Sequence, residues 1–235
     1  GPLGEEGNHE PSGYSAPSWD GRIIAFASWA SNFTPGDDNN DPDLFVKDRV
    51  TGALECASRN ADGFIGDSAS QSPHLSAGGR YVLFESYATH LVAASYVGNN
   101  NHLFVYDRAT GQHELIDRNR LGNPATLGTG FNKPGLSSDG RFVSYDSSSN
   151  DLVLPADSDY HSDVYLLDRT TLSTRRLSRA HDGSAPDDFC QANHMSGNGR
   201  YVGFWSAAGN LVPGMSKPVS AQFYVHDTQT SLTWL

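Results

Sequence analysis

Short apolar runs and long polar stretches alternate along this chain at one fixed interval. The apolar-rich runs 44–47, 103–106, 164–167 and 223–226 each close on an aspartate: Asp48, Asp107, Asp168 and Asp227. Those aspartates are 59, 61 and 59 residues apart. A Ser-x-x-Gly-Arg step keeps the same beat at Ser18–Arg22, Ser76–Arg80, Ser137–Arg141 and Ser196–Arg200, its arginines 58, 61 and 59 apart. Two independent landmarks with one period of sixty or so mark a tandem repeat, and four units fill the 235 residues.

One unit, residues 70–118, shows what each repeat predicts. Ser72-Pro73-His74-Leu75 runs into a polar turn, and Tyr81-Val82-Leu83-Phe84 is an apolar, strand-favouring run. A long polar loop follows, then Leu103-Phe104-Val105-Tyr106. Asp107-Arg108-Ala109-Thr110-Gly111 has the Asp and Gly of a hairpin turn, and His113-Glu114-Leu115-Ile116 alternates like a half-buried outer strand. The unit is thus four strands, a to d, with tight a–b and c–d turns. The c–d turn keeps its glycine in blades 1 and 2 but has Leu172 and Ser231 there in blades 3 and 4. Each unit is too small to bury a core alone, so the units must stack.

Tandem four-stranded antiparallel units predict an all-β fold, a β-propeller of four blades. Gly1–Gly4 reads as an expression-tag scar, and 5–235 as a single propeller domain. The blades fall at about 5–60, 61–118, 119–178 and 179–235. A whole number of units favours a closed four-bladed ring; the alternative is a fragment of a six- to eight-bladed propeller. The motifs themselves are Ser137-Ser138-Asp139-Gly140-Arg141-Phe142-Val143, Asn210-Leu211-Val212-Pro213-Gly214, Asp-x-Asn-x-x-x-Asp before strand c, and Asp-Arg-x-Thr-Gly after it. With these the chain resembles the TolB-like, PD40-type (WD40-like) propeller repeats of bacterial envelope and secreted proteins. The resemblance implies a binding module in the periplasm or outside the cell. It is nearly silent on activity, because function sits in sites grafted onto such folds.

Charge adds a direction. The net charge is −11, which argues against nucleic acid, and no apolar stretch is long enough to insert in a membrane. In an antiparallel blade the long b–c and d–a loops share one end. Sixteen of the 27 acids fall in those loops, against six of the 16 bases. The long-loop end is therefore expected to be acidic and to take the ligand, a protein or a glycan. Cys56 and Cys190 fall at non-equivalent positions of their repeats and are expected to be unpaired.

Two b–c loops carry clustered oxygen donors. Blade 1 has Asp37, Asn39, Asp41 and Asp43; blade 3 has Asp157, Asp159 and Asp163. Positions 37, 39 and 43 align with 157, 159 and 163 when counted back from Asp48 and Asp168. That spacing resembles calcium loops, which gather six to eight oxygens, although Pro42 and Ser162 replace the usual glycine. The bland reading is that these residues make turns and stay solvated. Calcium is the expected cofactor and its role structural. The repeated arginines 22, 80, 141 and 200 are expected to brace the a–b turns. Trp29 and Tyr87 share one b–c position; with Trp205 they are the candidate ligand-stacking aromatics. No close His pair and no Gly-x-Ser-x-Gly elbow occurs.

These observations support a non-enzymatic binding or scaffolding module with an acidic loop end and structural calcium. Two alternatives remain open at this point: a glycan hydrolase or lyase using paired carboxylates near the propeller axis, and a lectin.

Overall fold

Each repeat folds into one four-stranded antiparallel sheet, built from consecutive strands with no exchange between sheets. The computed structural model describes residues 6–93, 100–129, 133–155 and 160–235. Blade 1 is β1 (Pro11–Pro17), β2 (Ile23–Ser28), β3 (Asp43–Asp48) and β4 (Leu54–Cys56). Blade 2 is β5 (Ser70–Leu75), β6 (Tyr81–Ser86), β7 (His102–Asp107) and β8 (Gln112–Leu115). Blade 3 is β9 (Gly135–Leu136), β10 (Phe142–Ser147), β11 (Asp163–Asp168) and β12 (Ser173–Arg176). Blade 4 is β13 (Cys190–Met195), β14 (Tyr201–Ser206), β15 (Gln222–Asp227) and β16 (Leu232–Trp234). All four predicted c-strand runs lie inside β3, β7, β11 and β15. The four blades make an all-β propeller fold, and no helix occurs among the described residues. Among the described residues, therefore, no helix is long and apolar enough to cross a membrane.

The chain divides into two compact units, 1–116 and 117–235, each holding two blades. In the first unit the central strands of both blades bury one apolar cluster, including Ala25, Leu44, Val46, Val82, Phe84 and Phe104. In the second unit Val164, Leu166, Ala192, Val202, Phe204 and Tyr224 do the same. Fully buried aromatic side chains of this kind contribute the largest apolar areas to a core. First strands are the least regular: β1, β5 and β13 each carry a register shift.

The Ser-x-x-Gly-Arg step and the closing Asp form one device. Ser18 Oγ accepts the Ile23 N–H at 2.9 Å, and the equivalents Ser76, Ser137 and Ser196 do so at 3.0, 2.8 and 2.9 Å. The arginine then crosses to the aspartate that ends strand c. Arg22–Asp48, Arg80–Asp107, Arg141–Asp168 and Arg200–Asp227 close at 2.7, 2.8, 2.6 and 2.8 Å. Each aspartate also accepts the N–H two residues on, so it caps the c–d turn as well. The guanidinium hydrogen bond is the main cause that holds all four carboxyls below their ordinary range. The expected bracing role of these arginines is what the structure shows.

Neighbouring a–b turns are stitched within each unit. The Trp19 N–H donates to Ala77 O at 3.0 Å, and the Ser138 N–H to Gly197 O at 2.7 Å. Gly79 sits at φ +70°, where an added Cβ would lie 2.7 Å from Ile23. The c–d turn keeps its left-handed residue even where glycine is lost: Gly52 and Gly111 have φ 76° and 70°, Leu172 and Ser231 have 57° and 58°. Flanking hydrogen bonds to the Asp cap hold a conformation that side chains adopt reluctantly.

Candidate functional site: the acidic loops of blade 1

The long loop of blade 1 descends from the end of β2 into β3 and carries Asp37, Asp38, Asn39, Asp41 and Asp43. Asn39 organises it: its Oδ1 accepts the Asp41 N–H at 2.8 Å, and its Nδ2 donates to Gly66 O at 2.7 Å and toward Asp43 at 3.3 Å. Asp43 is the first residue of β3 and is fully buried. Its Oδ1 accepts the Ser58 hydroxyl at 2.6 Å. Burial is the main cause that pushes the Asp43 carboxyl up to about 7. The Ser58 and Asn39 hydrogen bonds oppose it, while the charges of Asp37 and Asp41 add to it. Asp37 is raised as well, by burial first and then by Asp38. The loop holds more negative charge than its protein donors compensate.

Beside this loop lies a cavity of about 430 Å³, lined by Gly36, Asp38, Asn39, Phe64, Asp67 and His90, together with Ile65 and Gly66. Phe64 is 67% exposed at its rim. Asp67 accepts the Thr89 N–H at 2.7 Å and the Thr89 hydroxyl at 2.6 Å, and lies 3.2 Å from His90 Nδ1. The other ring nitrogen of His90 meets Ile65 O at 3.0 Å. Burial pushes the Asp67 carboxyl up, but the Thr89 bonds and His90 outweigh it, so it ends below its ordinary range. The cavity therefore presents one fixed, ionised carboxylate and one exposed one, Asp38, next to a half-buried imidazole.

Elsewhere the long-loop acidity is largely used inside the fold. Asp151 accepts from Asn119 at 2.9 Å and from Thr126 at 2.8 Å. Asp187 accepts the Gly209 N–H at 2.7 Å, and Asp188 pairs with Lys217 at 2.8 Å. Among the described residues, the acids that crowding and burial raise are Asp37 and Asp43 of the blade 1 loop.

The predicted calcium residues of blade 3 fare differently. Asp157 and Asp159 lie outside the described residues. Asp163 is buried at the start of β11, where it accepts the Ser178 hydroxyl at 2.5 Å and pairs with Arg176 at 2.8 Å. Among the described residues no group of three His, Cys, Asp or Glu side chains is arranged to hold a metal. The three candidate aromatics are not gathered either. Trp29 follows β2 and is 46% exposed, and Tyr87 follows β6 at the matching position, half-buried. Trp205 lies two register positions earlier, within β14, edge-on to Phe223 at 5.2 Å. None of the three lines the cavity beside Asp38. Cys56 ends β4, Cys190 begins β13, and both are free thiols.

Sequence reasoning missed Asp67, His90 and Phe64. Their signal was present: an acid and an aromatic in one d–a loop, and a histidine in the next b–c loop. An alignment of loop acids alone does not bring these three residues together.

No family model matches the chain, and no curated protein matches it in sequence. Solved structures do match in fold. TolB from Acinetobacter baumannii aligns over 96% of this chain and 43% of its own, at 16% identity and TM-score 0.53. An oligogalacturonate lyase from Vibrio parahaemolyticus aligns over 96% and 52%, at 12% identity and TM-score 0.51. The β-propeller domain of the Trilobed protease from Pyrococcus furiosus, which has an open velcro topology, aligns over 94% and 55%, at 11% identity and TM-score 0.50. The chain thus spans about half the length of the structures it matches. At these identities the likeness shows the fold alone, and that fold is a TolB-like β-propeller.

Proposed function

We propose that the chain is a non-enzymatic binding or scaffolding module of an exported protein, periplasmic or secreted. Its ligand is a basic segment of a protein, held at the acidic blade 1 loops. The observation that carries this reading is the cavity where Asp38 and the fixed carboxylate of Asp67 stand beside an exposed Phe64. A Lys or Arg side chain gains a charged partner there and an apolar surface for its stem. Titration with a labelled peptide of Lys-Leu repeats tests it. Binding should weaken about tenfold in Asp38→Lys and fall as salt rises. Affinity indifferent to both, or turnover of an oligogalacturonate by the chain, would sink it.

A second reading concerns the same loop. Calcium bound through Asp37, Asn39, Asp41 and Asp43 would stabilise the ionised form of Asp37 and Asp43, whose carboxyls burial first, and neighbouring charge after it, push up. Against it, Asn39 and Asp43 already spend oxygens on the Asp41 amide and the Ser58 hydroxyl. An ion must outcompete those donors. A melting temperature that rises with calcium and falls with EDTA favours the ion; indifference to both rejects it.

A further inference from the structure

An acidic chain would not be expected to concentrate arginine in a concave surface, yet the second unit does. Two cavities, of about 500 and 580 Å³, flank the edge strand β12. They share Arg175, Arg176 and Arg179, and the larger adds Arg118 and Arg120. Among the described residues no carboxylate lines either one. Arg176 lines both and is buried against Asp163. Arg175 donates to Thr228 O at 2.7 Å, which leaves its charge in place. Arg120, Arg175 and Arg179 are exposed. Buried His226 sits at one wall, its imidazole held down to about 4 by burial first and by Arg175 second. Like charges crowded on a low-dielectric surface raise the local potential and favour an anion.

The apolar part of the lining narrows the ligand. Leu154, Leu172 and Leu232 stand 62, 56 and 62% exposed around the arginines, and among the described residues no Phe, Tyr or Trp ring lines either cavity. A sugar would lack its usual stacking surface. A lone inorganic anion would leave the leucines in water. An extended peptide uses both, because its side chains alternate between groups that can reach the guanidinium forks and groups that can cover leucine.

We propose that the groove along β12 binds an acidic peptide segment of a partner protein. Its Asp or Glu carboxylates meet Arg120, Arg175 and Arg179, and its apolar side chains rest on Leu154, Leu172 and Leu232. The site does not depend on the acidic cavity of the first unit and takes a ligand of opposite charge.

The test uses the full chain and a labelled peptide of repeated Glu-Glu-Leu triplets, with a Gln-Gln-Leu peptide, oligogalacturonate and inorganic phosphate as comparison arms. The variant combines Arg120→Glu with Arg179→Glu, two exposed side chains whose reversal leaves the core intact; an unchanged melting temperature checks that. The Glu peptide should bind saturably, the Gln peptide should not, and the double variant should lose at least about tenfold in affinity. Absence of saturable binding, or equal affinity in the double variant, overturns the proposal. So does binding of oligogalacturonate or phosphate that the double variant loses while the peptide is ignored, since the groove would then serve a glycan or a free anion.

Discussion

In blade 1 the carboxylate of Asp43 meets Ser58 and Asn39; in blade 3 the carboxylate of Asp163 meets Ser178 and Arg176. The two aspartates begin equivalent c strands, and their serines lie fifteen residues further on in both blades. Both serines also accept the next backbone N–H, of Leu44 at 3.0 Å and of Val164 at 2.9 Å. The difference is one position on strand d. Cys56 pairs with Phe45 in register where Arg176 pairs with Tyr165. One blade supplies a buried cation to a buried acid; the other supplies a thiol. The same strand start therefore holds a buried ion pair in one blade and a buried carboxyl next to further acids in the other. Of the two buried aspartates, Asp163 has a guanidinium beside it, whereas Asp43 has the like charges of Asp37 and Asp41.

Removing the cation of blade 3 has the largest expected effect. Arg176→Met leaves Asp163 buried without its counter-charge, which typically costs about 3–5 kcal/mol, a large share of a typical stability of about 5–15 kcal/mol. Urea unfolding should show that loss. Adding Asp163→Asn to it should recover most of the stability, since neutral neighbours no longer strand a charge. If Arg176→Met alone is harmless, the pair contributes nothing and the two blades do not differ in the way described.

Asp43→Asn should act in the opposite direction. The unfolded carboxyl titrates near 3.9 and the folded one near 7. Between those values the folded state binds more protons, so the parent loses stability as pH rises and carries the full penalty above 7. Asparagine has no such penalty. Each pH unit between the two values is worth about 1.4 kcal/mol, so the gain is at most about 4 kcal/mol at pH 8 and fades toward pH 4. Melting curves in EDTA across that range check it; a variant less stable than the parent at pH 8 would show that Asp43 is already compensated.

How much of this was legible in the sequence follows from what each feature depends on. The sixty-residue beat, the c strands and the Arg-to-Asp bracing are local patterns repeated four times, so each copy supports the others. Asp43 and Asp163 were found for the same reason, but as loop ligands. Their burial depends on strand d packing, which a count along one loop does not see. Aligning blade 1 with blade 3 through strand d would have set Cys56 against Arg176 and exposed the difference. The arginine groove escaped because Arg175 and Arg176 sit on a strand, whereas charges were tallied in the loops. Blade 3's first strand, only Gly135–Leu136, is also shorter than its repeat position implies.

A smaller effect separates the loops by ligand. If calcium binds residues 37–43, a hundredfold excess over Kd adds about 2.7 kcal/mol by mass action. Calorimetry should then show a melting temperature raised by calcium in the parent and unmoved in Asp43→Ala. Asp163→Asn, whose carboxylate serves Arg176, should retain the calcium response. Loss of the response in both variants would mean that the ion reports general stability rather than the blade 1 loop.

The mildest probe is the thiol that stands where blade 3 has its arginine. Burial pushes Cys56 up to about 11, with the Asp43 charge adding to it, and burial pushes Cys190 up to about 12. The thiolate is the reactive form, so both should react slowly with a disulfide reagent at pH 8 in the folded protein. Cys56 is part-exposed and Cys190 buried, so Cys56 should react first. Asp43→Asn removes a neighbouring negative charge and should speed Cys56 by roughly two- to threefold, the size expected of one partly screened Coulomb interaction, while leaving Cys190 unchanged. Absorbance time courses on single-cysteine variants separate the two rates. Acceleration of both, or of Cys190 alone, would mean that the substitution loosens the fold rather than removing a charge beside Cys56.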